Sequence, residues 1–296
     1  MSSGGTLEKE FWIPHRGLEV AELPGGSDPE AHHTLFMFLR QVQAAALQNG
    51  PFTAPFVPLW SFRMMLLLTN DDGIDAPGLA ALGHAARALG HDAVVVAPAT
   101  HQSWCSHTIT AHRGVRVERR AGNRFAVHGT PADCVRIGLL RLAPEADWVL
   151  SGINHGANLG ADVYYSGTVA AVREAVLHGW PGVALSHYRR KGMELDDWER
   201  VTPWATSVLA DLLARPTTPG LFYSVNLPHL ESNERKQPRT VLCPLDPNPL
   251  PLSYRHEVEG DQFYYEGTYT ARRRNAGADM EVCLRGDIAV TELRLF

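Results

Sequence analysis

Few features of secreted, membrane-bound or nucleic-acid-binding proteins occur in this sequence of 296 residues. Its four cysteines lie far apart with no C-x-x-C pair, which favours reduced thiols over a disulfide framework. The most apolar stretch, residues 52–68, is interrupted by Pro55, Pro58 and Arg63 and is too short to span a bilayer. A formal net charge of -5 provides no broad basic surface for a nucleic-acid polymer. Because the N-terminus also lacks the pattern of a signal peptide, we expect a cytoplasmic protein with no membrane contact.

Several common catalytic motifs are also missing. The absence of a Walker G-K-S/T and of G-x-G-x-x-G disfavours P-loop NTP hydrolysis and hydride transfer. A G-x-S-x-G elbow is absent, and so are the H-E-x-x-H and H-x-x-x-H spacings, so we assign the 14 histidines no metal role. A cysteine nucleophile is disfavoured, since Cys134 falls within an apolar helix pattern.

The chain divides near residue 64. Residues 1–63 mix Gly, Pro, His and aromatic residues with little periodicity, apart from one helix candidate at 33–47. This part is predicted to be either a poorly ordered N-terminal extension or sequence read upstream of a start at Met64 or Met65. Residues 64–296 are predicted to form the functional domain.

Strand and helix patterns alternate in this domain. The predicted strands are 65–69, 93–97, 148–151, 183–186 and 222–226, and the predicted helices are 78–89, 131–142, 168–177 and 197–213. This alternation predicts an α/β fold with a mostly parallel sheet and helices on both faces. In such sheets, ligands collect at the carboxyl ends of the strands.

Strands of another kind are predicted outside this alternation. Residues 115–118 and 124–127 indicate an inserted antiparallel hairpin. After Pro228 no further helix is predicted, and a hairpin-bearing excursion spans about 242–280, with aromatic strand residues at 262–272, before a last strand at 289–295. Aromatic strands that project from a domain often find a partner, so we expect an oligomer.

Two adjacent carboxylates follow the first strand, in the segment LLLTNDDGIDAPG. Asn70, Asp71 and Asp72 could form an ordinary turn with Gly73, which tolerates positive φ. Alternatively, they hold a metal ion, because neighbouring carboxylates repel each other unless a cation compensates. This segment by itself leaves both interpretations open.

Further polar clusters follow later strands, at 97–106, 151–160 and 164–175. Asn154 and Ser103 add neutral oxygens to the two carboxylates, and an all-oxygen set favours Mg²⁺, Mn²⁺ or Ca²⁺ over Zn²⁺. Ser166, Gly167 and Thr168 begin a predicted helix, where unpaired N–H groups attract an anion such as phosphate. The alternative is that a hydroxyl simply caps this helix.

Several motifs occur in a specific order: LLLTNDDGIDAPG, APATHQS, GTPADCV, SGINHGANLGADVYYSGTVAAVREA and SVNLP. From about residue 64 to near the C-terminus, this pattern resembles the SurE (survival protein E) family of metal-dependent nucleoside-monophosphate phosphatases. The resemblance implies a Rossmann-like core and a C-terminal hairpin exchanged between the subunits of a homodimer or homotetramer. It also implies one divalent cation per subunit, Mg²⁺ or Mn²⁺ with Ca²⁺ as a further option, bound by Asp71, Asp72, Ser103 and Asn154. The implied phosphate-binding residues are Asn158, Ser166, Gly167 and Thr168.

The expected activity is metal-dependent hydrolysis of nucleoside 5′-monophosphates, with 3′-monophosphates as a second substrate class. Asp71 or Asp72 would orient or deprotonate the attacking water, and direct attack by a carboxylate stays open. The chain departs from the family pattern, with Asp75 where His is usual and Trp104 where Gly is usual. Because Trp104 alters the entrance, two alternatives remain: a phosphatase for other esters or short polyphosphate, and a nucleotide-binding module without turnover.

Overall fold

The computed structural model describes residues 63–190, 197–231, 234, 236–267 and 272–296. The helix candidate at 33–47 and nearly all of the proposed N-terminal extension lie outside these residues. The boundary at residue 63 therefore stays a prediction.

The described residues contain strands and helices in an order close to that predicted. The strands are β1 (Met65–Thr69), β2 (Asp92–Pro98), β3 (Val117–Arg119), β4 (Arg124–Val127), β5 (Trp148–His155), β6 (Gly182–His187), β7 (Leu221–Leu227), β8 (Thr240–Leu242), β9 (Tyr254–Glu257), β10 (Gln262–Tyr265) and β11 (Ile288–Arg294). The helices are α1 (Pro77–Ala88), α2 (Pro131–Ile137), α3 (Gly167–Leu177), α4 (Trp198–Leu213) and α5 (Asp279–Leu284).

Nine strands form one mixed sheet in the order β3-β4-β2-β1-β5-β6-β7-β11-β8. Strands β4, β2, β1, β5, β6 and β7 pair in parallel, whereas β3 and β11 run antiparallel to β4 and β7. The predicted α/β fold with a mostly parallel sheet is thus confirmed. The central strands all point their carboxyl ends to the same edge of this sheet.

The three leucines of β1 show how helices cover both faces. Successive side chains of a strand point to opposite faces, and all three leucines are fully buried. Leu66 and Leu68 pack in the core beneath α1 and α4, whereas Leu67 packs in the core beneath α2 and α3. Burial of each such side chain contributes roughly 1.5–3 kcal/mol. The first strand is therefore anchored on both sides, immediately before the carboxylate pair.

Local sequence signals fix the beginning of helices α2 and α3. At α2, the Thr130 hydroxyl accepts a bond from the Asp133 N–H, and the Asp133 carboxylate accepts one from the Thr130 N–H. At α3, the Ser166 hydroxyl oxygen accepts a bond from the Val169 N–H at 3.1 Å. The helix-capping interpretation of Ser166 is thus correct, and it is compatible with anion binding by the same helix end.

Most predicted boundaries lie within two residues of the observed ones, but three regions differ by more. Strand β5 continues four residues past the predicted end at Ser151, to His155, because it pairs with β6 up to that residue. The helix predicted at 131–142 ends as a π-helical turn over Gly138–Leu142. The expectation of no helix after Pro228 was wrong, because α5 packs Met280, Val282 and Cys283 into a small core.

The two inserted hairpins take different positions. Strands β3 and β4 join the edge of the main sheet, since β4 pairs with β2. Strands β9 and β10 form a separate two-stranded sheet, as predicted for the C-terminal excursion, and all eight of their residues are exposed. Within the described ranges, no helix combines the length and the apolar character needed to cross a membrane.

Candidate active site

A cleft of about 1090 Å³ lies at the carboxyl edge of the sheet. It brings together residues from segments that are far apart in sequence. Six of the eight predicted site residues line it: Asp71, Asp72, Ser103, Asn154, Asn158 and Ser166. The other two, Gly167 and Thr168, form the first turn of α3 directly after Ser166.

The first residue after β1 closes the turn instead of facing a ligand. Asn70 is fully buried, its amide NH₂ donates to the Gly73 carbonyl at 2.9 Å, and its carbonyl oxygen accepts from the Gly73 N–H at 3.2 Å. Gly73 has a φ of +105°, a conformation that glycine tolerates. The turn interpretation is therefore correct for Asn70 and Gly73, and this turn directs the next two carboxylates.

Asp71 is buried beside the start of α3. Its side chain accepts a hydrogen bond of 2.5 Å from the Thr168 hydroxyl. A Cβ atom on Gly167 would lie 2.9 Å from both the Cβ and Oδ2 atoms of Asp71, so only glycine allows this approach. Burial raises the pKa of Asp71 to about 6 against the bond from Thr168, and the charge of Asp72 raises it further. The described residues therefore do not fully stabilise the negative charge of Asp71.

Asp72 is held from two sides at the cleft wall. Its Oδ2 atom accepts a hydrogen bond from the His155 N–H at 2.9 Å, and its Oδ1 atom lies 3.4 Å from Nδ1 of His101. The other ring nitrogen of His101 lies 2.5 Å from the Ser103 hydroxyl. His101 therefore links two of the predicted metal ligands, a role that its position in the sequence did not indicate.

Two asparagines contribute amide groups to the cleft from the β5 side. The Asn154 NH₂ group donates to the Gly156 carbonyl at 2.8 Å, which leaves its Oδ1 atom as the one that can bind a cation. The Asn158 NH₂ group donates to the Ser186 hydroxyl at 2.8 Å, and the Asn158 backbone N–H donates to the Oδ1 atom of the Asn226 side chain at 2.9 Å. The Asn154 side chain is thus positioned by its own segment, and Asn158 by residues of β6 and β7.

The N-terminus of α3 faces the same cleft. Ser166 is at the cap and lines the cleft, whereas the Thr168 side chain is fully buried and directed at Asp71. The backbone N–H groups of the first turn are the ones available to an anion. An anionic group in the cleft would thus meet the positive end of this helix, next to the two carboxylates.

The donor set fits a hard divalent cation. Carboxylate oxygens of Asp71 and Asp72, the Ser103 hydroxyl and Asn154 Oδ1 line one cleft, and all are oxygen donors. A cation bound there would offset the like charges and the buried charge that raise the pKa of Asp71. The nearby Cys105 thiol is a poor nucleophile or ligand, because burial raises its pKa to about 11.

Sequence analysis missed the opposite wall of the cleft. Tyr188, Arg189 and Trp198 line it from the segments after β6 and at the start of α4. Tyr265 reaches it from the β9–β10 hairpin. These residues carry no local motif: the parallel order of β6 and β7 brings the first three to the cleft, and the position of the hairpin brings Tyr265 there. The predicted rim residue Trp104 lines the cleft with 79% of its surface exposed.

Known proteins resemble this chain over most of the described region. The family model described as Survival protein SurE matches residues 66–245. The 5′-nucleotidase SurE of Paramagnetospirillum magneticum is 38% identical over 244 residues, which cover 78% of this chain and 89% of that protein. A Nostoc sp. protein provisionally named as a 5′-nucleotidase is 50% identical over 232 residues, 78% of this chain and 100% of that protein. The crystal structure of the SurE protein from Aquifex aeolicus matches with a TM-score of 0.66 and 30% identity, covering 78% of this chain and 94% of that one.

Proposed function

Since the chain belongs to the Survival protein SurE family, we propose that it is a 5′-nucleotidase that hydrolyses nucleoside 5′-monophosphates with the help of a divalent cation. The names of its relatives support the nucleotidase activity. One observation carries the site assignment: the carboxylate pair and the N-terminus of α3 meet in the same cleft. A phosphate ester is a ligand that needs both, a cation site and a seat for an anion.

The proposed ion site consists of Asp71, Asp72, Ser103 and Asn154. A divalent ion held by these oxygens supplies Lewis-acid chemistry, which polarises a phosphoryl oxygen and favours deprotonation of an attacking water. Mg²⁺ and Mn²⁺ suit this hard donor set, and Ca²⁺ is the third candidate. Asp71 needs no rearrangement for this role, because the bond from Thr168 already fixes its side chain.

The proposed phosphate site is the first turn of α3. Backbone N–H groups at Gly167 and Thr168, together with Ser166 and Asn158, would bind the phosphoryl oxygens and stabilise charge that builds up on them during hydrolysis. Asp72 is the better placed of the two carboxylates to accept a proton from water, because it is the less buried one. His101 would position Asp72 and Ser103 through its two ring nitrogens.

The cleft sets the proposed substrate class. A volume of about 1090 Å³ accommodates a nucleoside as well as its phosphate, and the aromatic side chains of Trp104, Trp198 and Tyr265 line the space around it. Exposed aromatic faces stack with bases of any type, so the proposal favours no particular base. We include 3′-monophosphates as a second substrate class. Three findings would replace this proposal: hydrolysis of other phosphate esters only, hydrolysis of short polyphosphate only, or nucleotide binding without turnover.

We also propose that the protein is a homodimer or homotetramer. The β9–β10 hairpin supports this, because Tyr254 and Phe263 expose 57% and 61% of their surfaces there. Light scattering coupled to size exclusion measures the assembly directly. Removal of exposed aromatic area by Tyr254→Ser with Phe263→Ser would shift an oligomer towards the monomer.

The decisive experiment is phosphate release from 5′- and 3′-nucleotides, p-nitrophenyl phosphate and tripolyphosphate. The protein is assayed after EDTA treatment and again after Mg²⁺ or Mn²⁺ is restored. Activity on nucleotides that disappears with EDTA and returns with metal supports the proposal. If turnover is confined to tripolyphosphate or to non-nucleotide esters, the proposed substrate class is wrong. If nucleotides bind but no phosphate is released, the proposed hydrolytic activity is wrong.

A further inference from the structure

A second group of potential metal ligands lies behind the cleft wall, formed by His187, Asp197 and His229. We call it the His187 cluster. His187 ends β6, Asp197 directly precedes α4, and His229 follows the end of β7 by two residues. One ligand atom from each residue lies within 4.8 Å of the others. Three separate segments thus direct their metal-binding side chains to one point.

The polar atoms of this cluster are buried and unsatisfied. The His187 side chain is fully buried, and apart from an interaction of the His187 ring with the Pro228 backbone, the ring nitrogens of His187 and His229 make no hydrogen bond to a described residue. The Oδ1 atom of Asp197 is also buried and makes no hydrogen bond to a described residue. A buried polar atom without a partner costs about 1–3 kcal/mol, and native structures rarely leave several together. The cluster therefore requires a further component that is not one of the described side chains.

Asp197 gives an independent indication from local structure. An aspartate at the N-cap of a helix usually accepts a bond from the backbone of the first turn. At α4, the Asp197 side chain makes no such bond. Instead its Oδ2 atom lies 3.6 Å from Nε2 of His187. The carboxylate thus faces the histidine and leaves the helix end without its usual cap.

The 3.6 Å separation suits two ligands of one tetrahedral metal ion. Zinc bonds to nitrogen and oxygen are about 2.0–2.2 Å long, so two ligands at a tetrahedral angle are separated by about 3.4 Å. Nitrogen donors prefer Zn²⁺ and related transition ions to Mg²⁺.

From these contacts we propose that His187, Asp197 and His229 bind a transition metal ion, most favourably Zn²⁺, at a site distinct from the carboxylate site of the cleft. The bound ion would fasten the end of β6 to the start of α4 and to the segment after β7. Tyr188 and Trp198, the chain neighbours of two ligands, line the cleft, and the Trp198 ring meets the His187 ring edge-on at 5.8 Å. The ion would thus hold one wall of the cleft in place. The nearby positive charge of Arg189 opposes it and limits its affinity.

The test uses Co²⁺, whose visible spectrum distinguishes four-coordinate sites from six-coordinate oxygen sites. Metal-free full-length protein carrying Asp72→Asn, which weakens the cleft site, is titrated with Co²⁺ and then with Zn²⁺. We expect the intense visible bands of four-coordinate Co²⁺ to develop and then disappear as Zn²⁺ displaces it. His229→Gln and Asp197→Asn, each added to this background, should abolish these bands. None of these readouts depends on phosphate release, so they are independent of the proposed activity.

The matched control is His256→Gln. His256 also pairs with an aspartate, Asp261 at 2.7 Å, but this pair is exposed on the β9–β10 hairpin. This variant should retain the Co²⁺ bands, and thermal unfolding and circular dichroism establish that each variant is folded. Zn²⁺ should also raise the Tm of the protein but not that of His229→Gln or Asp197→Asn. Absence of four-coordinate bands, or bands and Zn²⁺ stabilisation that persist in both folded variants, would overturn the proposal. The first of these results would leave water as the component that satisfies the cluster.

Discussion

Gly167 and Asp71 are in such close contact that a Cβ atom on the glycine would lie 2.9 Å from the carboxylate. The two residues belong to different segments. The Thr168 hydroxyl also fixes this carboxylate, because it donates a hydrogen bond to the Oδ1 atom of Asp71. The proposed ion site and the proposed phosphate site are therefore in direct contact. A change at the start of α3 must be felt at Asp71.

Gly167→Ala should displace Asp71 and lower kcat/KM roughly 10²-fold, the effect expected when a catalytic group moves by about 1 Å. Phosphate release and metal affinity, from calorimetric titration with Mn²⁺, measure the two consequences. Gly83→Ala is the control, because a Cβ atom there meets nothing nearer than 4.0 Å within helix α1. It should stay fully active and gain about 0.5–1 kcal/mol of stability. Equal activity of the two variants would contradict a close contact between Gly167 and Asp71.

Asp72→Asn should weaken Mn²⁺ binding by at least about tenfold, a loss typical of perturbed metal sites, and phosphate release should fall with it. The amide retains an oxygen for the His155 N–H but lacks the charge. Asp75→Asn is the matched control in the same loop, since the Asp75 side chain is 87% exposed. Activity that survives in Asp72→Asn would remove this residue from the ion site.

Metal-free protein should lose stability as the pH rises through the titration of Asp71. The carboxylate has a pKa of about 6 in the folded protein and 3.8 as its ordinary value. Between these two pH values the folded state binds more protons than the unfolded state, so the free energy of unfolding falls as pH rises. The loss at neutral pH approaches about 3 kcal/mol, and it is absent below a pH of about 4.

Asp71→Asn removes this titration, so in EDTA it should be more stable than the unaltered protein at neutral pH and equal to it near a pH of about 4. Urea unfolding at several pH values measures the difference. The same variant should lose metal-dependent activity. A stability difference that does not change with pH would show that the Asp71 carboxylate is not the group responsible.

Trp104 adopts a φ of +63°, in the left-handed region that favours glycine. Its ring is largely exposed, so little packing is lost on its removal. Trp104→Gly should therefore be about 1 kcal/mol more stable than Trp104→Ala, which keeps the strained backbone. Thermal unfolding of the two variants measures this difference, and equal Tm values would contradict the strain.

The same residue allows a test of the substrate proposal. If the base of a nucleotide stacks on Trp104, both variants should raise the KM for nucleotides and leave the KM for tripolyphosphate, which has no ring, unchanged. A parallel rise of both KM values would instead place Trp104 against the phosphate or the metal site. Unchanged values for all substrates would exclude a role in binding.

Local patterns were sufficient for most of the sheet. β1 was predicted to the residue, and α1 and β2 to within one residue, because periodicity and flanking glycines mark them without reference to the rest of the chain. β8 and α5 were missed for the opposite reason. β8 is a strand only because three residues pair with β11, and α5 has six residues that depend on packing with residues far away in sequence.

The candidate site was likewise predictable from the sequence only where its features are local. The carboxylate pair and the cap of α3 were visible, because adjacent charges and a Ser-Gly-Thr helix start are local features. The bond from Thr168 to Asp71 and the link from His101 to Asp72 were not, because these depend on which strand ends lie side by side. The expectation that histidine has no metal role came from spacing within single segments. The His187 cluster draws on three segments, so no spacing rule could detect it.

Strand β5 reaches His155 instead of ending at Ser151, so Asn154 sits within a paired strand and not on a free loop. Asp71 and Asp72 lie in the short turn directly after β1, whereas Ser103 and Trp104 lie on a longer loop between β2 and β3. Sequence change at Trp104 can therefore reshape the entrance to the cleft without moving Asp71, Asp72 or Asn154. If the proposed function is correct, this loop offers a place where the choice of substrate can change while three of the four proposed ion ligands stay in position.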